Sequence, residues 1–209
     1  AEWVYSLIGM ATRGLRGNRL GLPDGALLKY AALLAHEVRS AKGLELVLAD
    51  YFATPARVTP FTGGFVDIEP DERTRIGRDP ETAANNGLGR EAVLGSRAWD
   101  PAAAFRVDLG PMSLSAFLGL LPCGPGFVPL CGLARFFAGP NLEFTVVLVL
   151  AAAEVPALRL DRKAAPRLGW TTWLGSKPAA ADGAVTLHPR QWPGTGAQDL
   201  APGAEGSAA

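Results

Sequence analysis

Two histidines, two cysteines and three closely spaced arginines are the residues best suited to chemistry in this sequence, and each set lacks the companions that chemistry needs. His36 and His188 stand in no recognisable triad signature, and no G-x-S-x-G elbow occurs to raise a serine nucleophile. His36 falls at a predicted helix C-terminus, where its ring suits the helix dipole, and His188 lies in or near a tail. Cys123 and Cys131 flank Gly-Pro-Gly-Phe-Val-Pro-Leu. Zinc or dithiol chemistry needs C-x-x-C spacing or further ligands, so both read as small buried thiols. The glycine-rich stretch from Gly9 to Gly17 has neither the Lys-Ser/Thr of a phosphate loop nor a G-x-G-x-x-G. Arg13, Arg16 and Arg19 could grip a phosphate or carboxylate, or pair with an acidic partner surface, but read first as a solvated face beside a glycine turn. Asp50, Asp67, Glu69, Asp100, Asp108, Glu154 and Asp161 show no paired spacing within one element. Glu154, directly after an apolar run, is the carboxylate whose surroundings are worth checking. No catalytic residue, cofactor or metal site is predicted.

Five tryptophans are more informative, because Trp99, Trp170 and Trp173 fall in or just after two related segments. Leu88-Gly-Arg-Glu-Ala-Val-Leu-Gly-Ser96 and Leu168-Gly-Trp-Thr-Thr-Trp-Leu-Gly-Ser176 share five of nine residues at an offset of eighty. A tryptophan there either closes a core or anchors an interface, since large aromatics dominate interface hot spots. Upstream, Leu44 to Phe52 matches Leu130 to Phe137, each an apolar helical run ending in an aromatic pair, and downstream Val107 to Pro111 is echoed by Val185 to Pro189. The offset shrinks from about 85 to 80 because the first copy carries extra polar residues around Asp79 to Asn86, a loop insertion that costs little.

The elements that must position these segments follow from caps and periodicity. Asp24 is placed as the N-cap of an amphipathic helix ending near His36, and Ser40 caps a second whose Leu44, Val47, Leu48 and Tyr51 share a face. Pro55, Pro60 and Gly63-Gly64 make the extended segment Ala56 to Glu69 an edge strand or hairpin. Ser113 caps a shorter helix stopped by Pro122, a second helix runs from Val128 to Phe137, and Leu142 to Leu150 is extended. Phe105-Arg-Val-Asp-Leu109 alternates, with Phe105, Val107 and Leu109 inward. The class is α+β, with two tandem pseudo-repeats of helix, helix and strand followed by a Leu-Gly loop. Residues 1–110 hold the first, 111–176 the second, and 177–209 a flexible Pro/Ala/Gly-rich tail.

The 209 residues are 48% apolar, with a mean hydropathy of +0.15, so a buried core is within reach. Twenty Lys plus Arg balance twenty Asp plus Glu, and with no net field to attract nucleic acid or anionic membrane, a partner is met through shape and apolar contact. The longest apolar run, Phe144 to Ala153, is far short of the roughly 20 residues of a spanning helix. Two cysteines make no disulfide framework, which points to a reducing compartment. The opening AEWVYSLIGM carries no secretory features and reads as the middle of something longer.

Several stretches then resemble one family. They are Leu88-Gly through Ala-Val-Leu-Gly-Ser-Arg-Ala-Trp-Asp100, Phe105-Arg-Val-Asp-Leu-Gly-Pro-Met-Ser-Leu114, Phe117 to Pro122, Ala153-Glu-Val-Pro156 and Arg167-Leu-Gly-Trp-Thr-Thr-Trp-Leu-Gly175. Together with Gly9 to Gly17 and Leu22 to Ala35, they resemble the TssG (ImpH/VasB) family of type VI secretion baseplate subunits over about residues 7–176. The resemblance implies a cytoplasmic, non-enzymatic scaffold assembled on the inner face of the cell envelope. Such a scaffold joins TssF and TssK in the baseplate wedge of a contractile injection machine, with TssE and the VgrG hub as close or indirect contacts. It also implies that a further N-terminal region is absent here. The partner-binding candidates are Leu88, Gly89, Leu94, Gly95, Ser96 and Trp99 in the first segment, and Leu168, Gly169, Trp170, Trp173, Leu174 and Gly175 in the second. A small hydrolase with one polar pocket at the mouth of one repeat, or an adaptor outside secretion, are the competing readings.

Overall fold

The computed structural model describes residues 2–10, 20–36, 38–77, 83–158, 166–173 and 181–189. Arg13, Arg16, Arg19, Leu174 and Gly175 lie outside them, as do Asp161 and most of the tail.

The chain is α+β. In order come α1 (Glu2–Leu7), α2 (Asp24–Lys29), α3 (Ala31–Leu34), α4 (Ala41–Phe52), β1 (Ala56–Thr59), β2 (Gly64–Asp67), β3 (Arg97–Asp100), β4 (Ala104–Met112), α5 (Leu114–Leu120), α6 (Phe127–Ala138), β5 (Glu143–Leu150) and β6 (Gly183–Leu187). The span from α2 to β4 holds three helices and four strands, and that from α5 to β6 two helices and two strands; one Leu-Gly turn falls between β2 and β3 and the other between β5 and β6.

Four strands form the main sheet in the order β1-β4-β5-β6; β4 and β5 are parallel at its centre, and the two outer pairings are antiparallel. The period of two gives this sheet one buried face. Val58 pairs with Val107, Phe105 with Phe144 and Leu148 with Val185, and all six side chains are buried. Helix α4 packs on β1 and α6, and α5 packs on β5. Phe117, Phe127, Leu130, Leu133 and Leu148 are almost wholly removed from water, each burial worth about 1.5–3 kcal/mol. The strands β2 and β3 make a separate two-stranded ribbon.

Two serines cap as their sequence positions predict. Ser40 Oγ accepts from Gly43 N at 3.1 Å, and Ser113 Oγ from Ala116 N at 3.5 Å. Asp24 does not cap: Pro23 occupies the N-cap, and Asp24 is the first helical residue. The predicted helix to His36 also breaks at Tyr30, into α2 and α3. At the break the Tyr30 ring is buried and its hydroxyl donates to Asp50 of α4, which also accepts from Lys29. Those two bonds hold the Asp50 carboxyl below its ordinary range.

The extended segment after α4, expected as an edge strand or a hairpin, holds an edge strand, β1, and a second strand, β2, that pairs with β3 rather than folding back on β1. Phe61 at φ +57° and Gly63 at φ +73° turn the chain out of β1, the edge strand, and into the ribbon. Residues Gly183–Leu187, expected within the tail, form β6, because Gly183, Val185 and Leu187 alternate inward against β5.

Candidate functional site

The two Leu-Gly segments are turns that hold leucines away from the body. Leu88, Leu94 and Leu168 are 96%, 99% and 92% exposed. Gly89 and Gly169 sit at φ +74° and +79°, the left-handed region that a side chain disfavours, so the Leu-Gly dipeptide has the same glycine conformation in both segments. Internal bonds shape each turn. In the first, Arg90 N donates to Gly87 O at 3.0 Å, and Val93 N to Thr74 Oγ1 at 2.9 Å, while that hydroxyl donates to Asn85 O. In the second, Arg167 N donates to Thr171 Oγ1 at 2.8 Å and Gly169 N to Thr172 Oγ1 at 3.2 Å.

Gly95 and Ser96 are exposed at the entry to β3, where Ser96 O accepts from Ile68 N at 2.9 Å. The three tryptophans differ. Trp99 projects from β3 at 58% exposure, its ring edge-on to Phe65 at 5.1 Å. Trp170 and Trp173 are both half-buried and packed against the core. The Arg167 guanidinium lies 5.7 Å over the Trp170 ring, and Trp173 stands 5.8 Å from Phe117 and against Gly183.

The sequence alone does not reveal the aromatic group around Trp99, because Phe61, Phe65 and Val66 lie within the Ala56 to Glu69 extended segment. They are 74%, 61% and 46% exposed, and the signal that separates them from core residues is the Phe-Thr-Gly-Gly bend before β2. The ribbon carries Phe65 and Trp99 on one side, with the Asp67–Arg97 ion pair at 2.7 Å. Half-buried faces normally stabilise such ribbons, and a two-stranded ribbon with exposed aromatics is marginal on its own.

Groups suited to acid–base or nucleophilic work are dispersed. His36 is exposed after α3; His188 is exposed after β6, its Nδ1 3.5 Å from Thr145 Oγ1. Glu154 is exposed and accepts from Leu114 N at 3.4 Å. Cys131 is buried in α6, where desolvation pushes its thiol up to about 12. Cys123, expected to be buried, is exposed, because the turn after Pro122 carries it outside the helix pair. Asp100 accepts from Ala102 N at the end of the ribbon, and Asp108 pairs with Arg106 at 3.1 Å. Among the described residues no group of His, Cys, Asp and Glu is placed to hold a metal ion, and no helix is long and apolar enough to cross a membrane.

The model of the family described as type VI secretion, TssG, matches residues 1–175. No curated protein matches the chain. Among solved structures, a chain of the type VI secretion TssK-TssF-TssG baseplate subcomplex, determined by cryo-electron microscopy, is similar in fold at a TM-score of 0.68. Its identity is 21%, over 90% of this chain and 77% of that one. A chain of a type VI secretion baseplate complex aligns at 22% identity over 81% of this chain and 49% of that one, with a TM-score of 0.47.

Proposed function

This chain belongs to the type VI secretion TssG family, and from that premise we propose that it is a structural, non-catalytic subunit of the baseplate, built to hold TssF and TssK together. The observation that carries the reading is the family match over residues 1–175, supported by a fold shared with a chain of the TssK-TssF-TssG subcomplex. The two Leu-Gly turns are the proposed docking segments, each for one copy of the same partner, TssK. Leu88 and Leu94 lead the first and Leu168 the second, with Trp99 and Trp170 beside them. Exposed leucines forgo the burial energy that core leucines gain, so fixed turns presenting them suit an interface better than a free surface.

The site of action is the cytoplasm, on the inner face of the cell envelope. Each half of the chain supports one turn, and the pseudo-repeat divides near residue 110. Co-expression of this chain with TssF and TssK, followed by size-exclusion chromatography, tests the reading. Co-elution of all three is expected; elution of this chain alone from a mixture containing folded TssF and TssK overturns it.

A further inference from the structure

Neither Leu-Gly turn lines the groove between α4 and the end of α6. Its volume is about 630 Å³, and Leu44, Val58, Phe61, Phe105, Phe137 and Leu142 supply its apolar wall. Phe61 is the lip: its ring is 74% exposed and its φ of +57° is a costly conformation for a bulky residue, of the kind found where chains clamp ligands.

One charged side chain lines this groove, Arg39. Its Nη1 donates to Phe136 O and, at 3.2 Å, to Phe137 O; its Nη2 donates to Leu34 O at 3.1 Å. All three acceptors are neutral carbonyls at the ends of α6 and α3. Among the described residues no carboxylate forms an ion pair with it. The dipole of α6 offsets part of the charge. None of these bonds uses the Nε–H, and the Nε–Nη2 edge is the one that binds a carboxylate side-on.

We propose that this groove seats an apolar segment of a neighbouring subunit that carries an acidic residue, with the carboxylate bidentate on Nε and Nη2 of Arg39 and apolar side chains between Phe61 and Phe137. The proposal rests on the reading of the chain as a baseplate scaffold beside TssF and TssK, and it locates a contact separate from the Leu-Gly turns.

A photocrosslinking benzoylphenylalanine at position 61 of the full chain, co-expressed with TssF and TssK, tests it, with the crosslinked peptide identified by mass spectrometry. A peptide in which Asp or Glu stands among apolar residues is expected. Its yield falls about tenfold or more with Arg39→Met, and Arg39→Lys, which keeps the charge without the fork, falls between. Arg39 also ties α3 to α6, so a second pair avoids that role: Ala102 is an exposed lining position, and Ala102→Glu lowers the yield whereas Ala102→Lys does not. A crosslink to a segment without an acidic residue overturns the proposal. So does a yield that ignores both Arg39→Met and Ala102→Glu, or no crosslink from a chain that still co-elutes with TssF and TssK. Loss of co-elution by the unsubstituted chain removes the scaffold reading and the groove's partner together.

Discussion

The indole of Trp99 lies across Gly63, so closely that a Cβ on Gly63 would stand 2.1 Å from Trp99 Cζ2. Gly63 also has φ +73°, so Gly63→Ala carries two penalties, a displaced tryptophan and a strained backbone. The expected cost is about 1–3 kcal/mol at the ribbon, with Trp99 emission shifting as the ring leaves Phe65. Unchanged fluorescence and melting temperature would show that the indole and glycine are not in contact.

Trp173 and the turn leucines separate stability from docking. Trp173→Ala removes a ring packed on Phe117 and is expected to cost about 2 kcal/mol, a drop of several degrees in melting temperature. Leu94→Ala and Leu168→Ala, at exposed tips, leave melting nearly unchanged and weaken TssK capture. Calorimetry beside pull-downs decides; a double leucine variant that captures TssK as well as the parent argues against the turns as docking segments.

The caps give a paired test. Ser40→Ala loses the 3.1 Å bond to Gly43 N and about 1 kcal/mol, whereas Ser113→Ala loses a longer bond, 3.5 Å to Ala116 N, and less stability. Urea titrations of the two variants should differ in midpoint in that order, and equal midpoints contradict the assignment.

The two thiols should label in sequence. Cys123 is exposed and Cys131 is buried with its thiolate disfavoured, so a thiol reagent at pH 8 titrates one cysteine in the native chain and the second only in denaturant. Two rapid equivalents from folded protein would place Cys131 at the surface.

Local chemistry was legible in the sequence where one residue type decides the outcome. Ser40 and Ser113 each announce a helix, the alternation from Phe105 to Leu109 announces β4, and the repeated Leu-Gly dipeptide announces two turns. Non-local choices were not legible. Tyr30 stands where a helical run breaks, its hydroxyl on Asp50, twenty residues on, and nothing in the run itself signals this. Phe61 and Phe65 have the composition of core residues, and the left-handed backbone at Phe61 and Gly63 turns the chain that carries them outward. The parallel pairing of β4 with β5 depends on the whole α5–α6 crossover between them. The site was legible to a similar depth: the turns were readable, but Arg39 and its groove are assembled from α4, β1, β4 and α6 and have no contiguous signature.

That central parallel pair has a consequence during synthesis. As β4 leaves the ribosome only its β1 side has a partner, and its other edge stays open until residues up to Leu150 have emerged and α5 and α6 have formed. The first half therefore cannot complete its sheet alone. A nascent chain stalled before β5 exposes Phe105, Val107 and Leu109 beside an unpaired edge, the form most prone to aggregate or to recruit a chaperone.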